Sequence, residues 1–183
     1  MSGLTIPFTG LKKQYNNLRQ EILNATDEVL RSGQLMNGNF TAEFEAWLAK
    51  KNGAKYAVCV HSGTSALEAI AEYYATDNIS PNPPTALIPS LTYAATANAF
   101  IRAGWHVHFI DVDHHGIFDA KKIPDNVSYQ AIVLIGLYGA SIAHMGDVNT
   151  WRQWMLHDKI IIEDAAQHWL AADCQRIGKA AAI

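Results

Sequence analysis

Three short segments hold the residues whose types and spacing suit chemistry on one small molecule. The first is His61-Ser62-Gly63-Thr64-Ser65, which follows an apolar run, Tyr56–Val60, and leads into a helical stretch. The N–H groups at a helix start lack intrahelical acceptors and carry the positive end of the helix dipole. They therefore attract anions, phosphate above all. Gly63 lets a ligand approach the backbone closely, and Thr64 and Ser65 add hydroxyl donors. A plainer use of the same residues is capping, because Ser62 or Thr64 can close a helix start without any ligand.

The second segment, Pro89-Ser90-Leu91-Thr92-Tyr93, follows the run Thr85–Ile88. A tyrosine that opens a helix at the mouth of a sheet can stack on a flat ring, although it can equally serve as a packing aromatic. The third, Glu163-Asp164-Ala165-Ala166-Gln167, follows the run 159–162. A carboxylate at the end of a buried strand is costly unless something pairs with it. The protonated nitrogen of a pyridine ring is a suitable partner for Asp164, and that pairing makes the ring an electron sink. Gln167 could reach a ring hydroxyl from the next turn. Asp164 could instead cap the Ala-rich stretch that follows it. Together the three segments offer a phosphate seat, a stacking aromatic and a carboxylate for a ring nitrogen, the set that pyridoxal 5'-phosphate (PLP) needs.

These residues must be positioned by the elements around them. Apolar residues at Tyr15, Leu18, Ile22, Ala25, Val29 and Leu30 have helical spacing over 15–31, and Ser32-Gly33 ends the run. A second helix is expected from a cap at Thr41, with Phe44, Trp47 and Leu48 on one face and a stop at Asn52-Gly53. From residue 54 the rhythm changes. Runs at Tyr56–Val60, Thr85–Ile88, Val107–Val112, Ala131–Ile135 and 159–162 alternate with helical stretches near 63–75, 93–103 and 146–157. That alternation predicts an α/β fold, a mostly parallel sheet flanked by helices. Ligands of such sheets sit outside the carboxyl ends of the strands, where all three segments fall.

Composition narrows the classes. The 183 residues are 49% hydrophobic and 17% charged, with a net charge of -3, so a packed core is expected and a nucleic-acid partner is not. No apolar run reaches the ~18 residues of a membrane span, and Met1 to Phe8 has no signal-peptide pattern. Cys59 and Cys174 build neither a disulfide framework nor a zinc cluster. Cys59, inside an apolar run, reads as a buried thiol in a reducing cytoplasm.

The sequence resembles the DegT-like sugar aminotransferases, a branch of the fold-type-I PLP enzymes. The resemblance runs from about Ile6 to the end. It rests on Ile6-Pro7, Arg31-Ser32-Gly33, Phe40 to Trp47, Tyr56-Ala57-Val58, Gly63-Thr64-Ser65-Ala66-Leu67, Pro89 through Ala99, Leu137-Tyr138-Gly139 and Glu163 to Gln167. It implies that Gly63, Thr64 and Ser65 hold the phosphate and that Tyr93 stacks on the ring. Asp164 would pair with the ring nitrogen and Gln167 would contact the ring hydroxyl. The family implies transfer of an amino group, usually from glutamate, to a keto group of a nucleotide-linked sugar, in a homodimer with active sites at the subunit interface.

Two departures stand out. Gly136 occupies the position before Leu-Tyr-Gly where the family often has histidine. The family's Schiff-base lysine, in a Ser-Phe…Lys segment, is expected beyond Ile183, and Lys179 reads as a turn lysine rather than its replacement. Residues 1–183 are thus expected to be the N-terminal segment and most of the large PLP-binding domain, with the small C-terminal domain absent. A PLP-dependent sugar dehydratase, or a truncated non-catalytic protein that binds PLP or phosphate, are the alternatives. Asp111, Asp113 and His114 form an acidic cluster without clean metal-ligand spacing. His106 and His108 share a strand face, and His168 follows Gln167 with no assigned role.

Overall fold

A computed structural model describes residues 6–76, 82–140, 159–169 and 181–182. The chain forms two compact units, residues 1–45 and 46–183. The first unit is dominated by helix α1 (Leu11–Ser32), which begins four residues before the periodic run and ends at the expected turn. Gly33 adopts the left-handed conformation there (φ 68°) and donates its N–H to the Leu30 carbonyl, a helix stop that glycine makes without steric cost. The apolar stripe of α1 stays exposed, with Leu11, Tyr15, Leu18 and Ile22 all in contact with solvent. Helix α2 (Asn39–Asn52) starts before Thr41, so Thr41 lies inside the helix rather than capping it.

The second unit is an α/β sheet. Strands β1 (Thr85–Pro89), β2 (His106–Ile110), β3 (Ala131–Ile135), β4 (Ile160–Asp164) and β5 (Ala181–Ala182) pair in the order β2-β1-β3-β4-β5. Every pairing is parallel. Helices α3 (Gly63–Thr76) and α4 (Ala94–Arg102) precede and follow β1. The period of two sorts the strand residues onto two cores. Ala86, Ile88, Ala131, Val133, Ile135 and Ile162 pack on one face with Leu67 and Ala71 of α3 and Phe100 of α4. Leu87, Ile110, Ile132, Leu134 and Ile161 pack on the other face with Phe118. Strand β3 is buried throughout, as expected of a central parallel strand covered on both sides. Trp105 closes the first core edge-on to Phe100, and its indole N–H reaches the Ala71 carbonyl at 2.9 Å.

The expected strand Tyr56–Val60 does not form. Its backbone makes no ladder with any of the described residues, and Tyr56 and Val58 are 73% and 79% exposed. An apolar run becomes a strand only when a neighbouring backbone offers its N–H and C=O groups, and that partner cannot be read from the run itself. Cys59, expected to be buried, is exposed for the same reason. The first candidate segment therefore precedes a helix without following a strand. The expected helix at 146–157, Cys174 and Lys179 lie outside the described residues. No helix among the described residues is long and apolar enough to cross a membrane.

Candidate cofactor site

The carboxyl ends of β1, β3 and β4 share one edge of the sheet because the strands are parallel. At that edge lies a cavity of about 530 Å³. Ile135 and Asp164 enter it from the ends of β3 and β4, and Gly63, Thr64 and Leu67 from the start of α3. Leu91, Thr92, Tyr93, Ala95 and Thr96 and the turn Gly136-Leu137-Tyr138 complete the wall with Ala166 and Gln167. Five of the six residues expected to bind a cofactor, Gly63, Thr64, Tyr93, Asp164 and Gln167, are thus brought together.

Ser65 is not part of this lining. Its hydroxyl lies 3.1 Å from Ser62 Oγ and 3.0 Å from His61 Nε2, and its N–H donates to Ser62 Oγ at 3.2 Å. Ser62 is therefore the cap of α3, as the plainer reading allowed. Because Ser62 takes the Ser65 N–H, the Gly63 and Thr64 N–H groups are the helix-start donors without an intrahelical acceptor. These two residues line the cavity, where an anion would find them.

Asp164 closes β4, one residue inside the strand rather than after it. Its Oδ2 accepts from the Thr96 hydroxyl at 2.8 Å, and its Oδ1 accepts from the Ala166 N–H at 3.2 Å. Asp164 therefore organises the turn after β4 and also faces the cavity. Its neighbour Glu163 faces the other side of the sheet, 4% exposed, and its Oε1 accepts no hydrogen bond among the described residues. Burial pushes the Glu163 carboxyl up to about 7. Tyr93 precedes α4 in extended conformation and is 77% exposed, a ring on the rim rather than in the core.

Gln167 has a role that its spacing did not reveal. Its side-chain carbonyl accepts from the Tyr138 N–H at 2.6 Å, which leaves the amide NH2 as its donor group. Tyr138 sits in the left-handed region (φ 53°), a conformation that costs a non-glycine residue roughly 1–3 kcal/mol and persists only where neighbours enforce it. The enforcing contacts come from the end of β4 and the turn that follows it. Gly136 N–H donates to the Asp164 carbonyl at 3.1 Å, and the His168 ring meets the Gly139 carbonyl through Nδ1 at 3.3 Å. His168 is buried directly over Gly136, and a Cβ at position 136 would stand 2.3 Å from the His168 Cβ. The glycine at 136 is thus the counterpart of the imidazole at 168.

Thr96 was missed as a site residue. It stands in an Ala-rich helix with no distinguishing pattern, and its importance comes from a partner 68 positions away. The acidic cluster at 111–114 is occupied by its own turn. Asp111 binds the Lys122 ammonium at 3.1 Å, and that bond holds its carboxyl below the ordinary value. The Asp113 carboxyl is lowered chiefly by the Ile117 N–H, with a smaller contribution from the His115 N–H. Lys159 lies at the opposite end of β4 from Asp164, with its ammonium on the Tyr129 carbonyl and ring.

The sequence model of the DegT/DnrJ/EryC1/StrS aminotransferase family matches residues 16–183. The chain belongs to that family. Among the curated members, the UDP-4-amino-4,6-dideoxy-N-acetyl-beta-L-altrosamine transaminase of Campylobacter jejuni is 29% identical over 178 residues, covering 93% of this chain and 45% of its own length. The dTDP-3-amino-3,6-dideoxy-alpha-D-galactopyranose transaminase of Aneurinibacillus thermoaerophilus is 30% identical over 181 residues, with 94% and 47% covered. The chain spans about half the length of the curated relatives it matches. The DegT-family fold is equally plain in solved structures. NtdA of Bacillus subtilis, solved with bound cofactor PMP, superimposes with a TM-score of 0.75 at 25% identity over 92% of this chain and 38% of its own. DesV of S. venezuelae gives 0.74 at 29% identity over 91% and 44%. The architecture is the α/β fold of the fold-type-I PLP-dependent aminotransferases, as the alternation of strands and helices implied.

Proposed function

We propose that the cavity at the carboxyl edge of the sheet binds PLP and that the whole protein transfers an amino group to a keto group of a nucleotide-linked sugar. The observation that carries this reading is the Asp164 carboxylate, held by Thr96 and Ala166, in one cavity with the Gly63–Thr64 helix start and the Tyr93 ring. When bound, PLP supplies an aldehyde that takes up the amino group and a ring that withdraws electrons from it. The residues present fit that group. Gly63 and Thr64 would hold the phosphate, with Ser65 supporting the helix start through Ser62. Tyr93 would lie against the ring. Asp164 would accept the N–H of the ring nitrogen, a charge-assisted bond. The Gln167 amide NH2 suits the ring hydroxyl oxygen, because its carbonyl is committed to Tyr138. No lysine is among the described residues that line the cavity, so this reading assigns the proton-transferring amine to a residue outside them.

Support for transamination comes from relatives named as transaminases of UDP- and dTDP-linked sugars. Their names favour it over the dehydratase alternative. Glutamate as donor and a cytoplasmic setting belong to the same reading, and the exposed Cys59 suits a reducing compartment. So does a homodimer, which would cover the exposed Leu11, Tyr15, Leu18 and Ile22 stripe of α1.

The test uses the whole protein with PLP and 15N-glutamate. Release of 2-oxoglutarate in an amount equal to enzyme is expected without sugar. Addition of a UDP- or dTDP-linked keto sugar should give a product carrying 15N by mass spectrometry. A product that has lost oxygen and carries no 15N would favour the dehydratase. Absence of 2-oxoglutarate would contradict both.

A further inference from the structure

Thr96 connects the cavity to the interior. It is 1% exposed, it sits on α4, and its hydroxyl bridges two neighbours. It donates to Asp164 Oδ2 at 2.8 Å and accepts from the Thr92 hydroxyl at 3.3 Å. A hydroxyl has one proton, so the proton given to Asp164 leaves Thr96 only lone pairs for Thr92. The chain of donors runs one way, from Thr92 through Thr96 to Asp164. The other carboxylate oxygen accepts from the Ala166 N–H at 3.2 Å. Each oxygen is thus fixed by a donor from a different element, one from α4 and one from the turn after β4. Two such bonds set the plane of a group whose last torsion is otherwise broad. A carboxylate has about four lone-pair sites, so acceptor capacity remains on both oxygens.

We propose that Thr96 is a positioning residue for Asp164. Its hydroxyl, backed by Thr92, sets the carboxylate plane so that a remaining acceptor site meets a cationic ring nitrogen in the cavity. The inference rests on the reading of this cavity as a PLP site. Valine keeps the shape of threonine but leaves Asp164 Oδ2 without its donor, so the carboxylate, held only by the Ala166 N–H, can turn about its Cβ–Cγ bond. Serine keeps the donor and loses only a methyl group.

The experiment titrates the full chain and its Thr96→Val and Thr96→Ser variants with two probes. One is PLP and the other is its 1-deaza analogue, in which a C–H replaces the ring nitrogen. The wild-type chain is expected to bind PLP at least about tenfold more tightly than the analogue, the worth of one bond to a charged group. Thr96→Val is expected to lose most of that preference through weaker PLP binding, with analogue affinity within about twofold of wild type. Thr96→Ser is expected to restore it. A uniformly loosened site would weaken both probes alike and overturn the proposal. So would a Thr96→Val variant that keeps the wild-type preference. If Thr96→Val does not fold, Thr92→Val carries the test from a less buried position, with a roughly two- to threefold loss of preference expected and an unchanged preference overturning the proposal. A wild-type chain that binds PLP without preferring it to the analogue overturns the proposal and the Asp164 assignment together. Failure to bind either probe overturns the cofactor reading itself.

Discussion

The Thr96 hydroxyl and the Asp164 carboxylate meet at 2.8 Å across the junction of α4 and β4. The bond joins a helix that follows β1 to the end of a strand two places along in the sheet, since β3 stands between β1 and β4. It therefore ties together two walls of the cavity. Asp164 also holds the turn that carries Gln167, and Gln167 holds Tyr138. A change at this junction should propagate to the cavity rim without passing through the hydrophobic core.

The helix start separates two kinds of serine and threonine. Thr64→Ala should weaken PLP binding by at least about tenfold, because a hydroxyl bond to a charged phosphate is worth roughly 1.5–3 kcal/mol. Inorganic phosphate should then compete less well for the site. Ser62→Ala should instead cost about 1 kcal/mol of stability through loss of the cap. Absorbance titration with PLP and urea unfolding of each variant check the two outcomes. An unchanged PLP affinity in Thr64→Ala would remove it from the phosphate seat.

Gly136 and His168 form a steric pair. Gly136→Ala places a Cβ 2.3 Å from the His168 Cβ, so one of the two segments must move. The expected cost is about 1–3 kcal/mol. His168→Ala in the same chain should recover part of it, because the space over position 136 is then open. A urea double-mutant cycle on the two sites measures this coupling. Additive effects would show that His168 does not set the Gly136 turn.

Glu163 should make stability depend on pH. Its carboxyl is raised from 4.5 to about 7 in the folded chain by burial, so the folded state binds the proton more tightly than the unfolded state. Between those values the folded state holds more protons, and stability falls as pH rises. The loss is complete once the pH passes about 7, and it amounts to something on the order of 3 kcal/mol. Glu163→Gln should therefore be more stable than the parent at pH 8, with the difference shrinking toward pH 5. Urea midpoints at both pH values check this. A difference that does not change with pH would contradict it.

Much of this was legible in the sequence where local pattern and burial agree. Strand β3 matches its apolar run residue for residue, because a strand buried on both faces is apolar throughout. Helix α3 and the edge of the sheet that carries the cavity follow from the alternation of strands and helices. Tyr56–Val60 was misread because an apolar run alone does not say whether a neighbouring backbone will accept it as a strand. The opposite faces of Glu163 and Asp164 were available from the period of two, once β4 was allowed to run through both. Thr96 and the Gly136–His168 pair were not available. Each depends on a contact between residues distant in sequence, and neither a threonine among alanines nor a glycine before Leu-Tyr-Gly announces its partner.

The most direct test of the account is an equilibrium titration of the chain with PLP, wild type against Asp164→Ala, followed by absorbance and protein fluorescence. Saturable binding at one site per chain is expected for the wild type, with affinity reduced at least about tenfold in Asp164→Ala by loss of a charge-assisted bond. Circular dichroism of the variant should remain that of the folded α/β chain. A wild-type chain that does not saturate, or a folded Asp164→Ala variant with wild-type affinity, would contradict the assignment of this cavity as the PLP site.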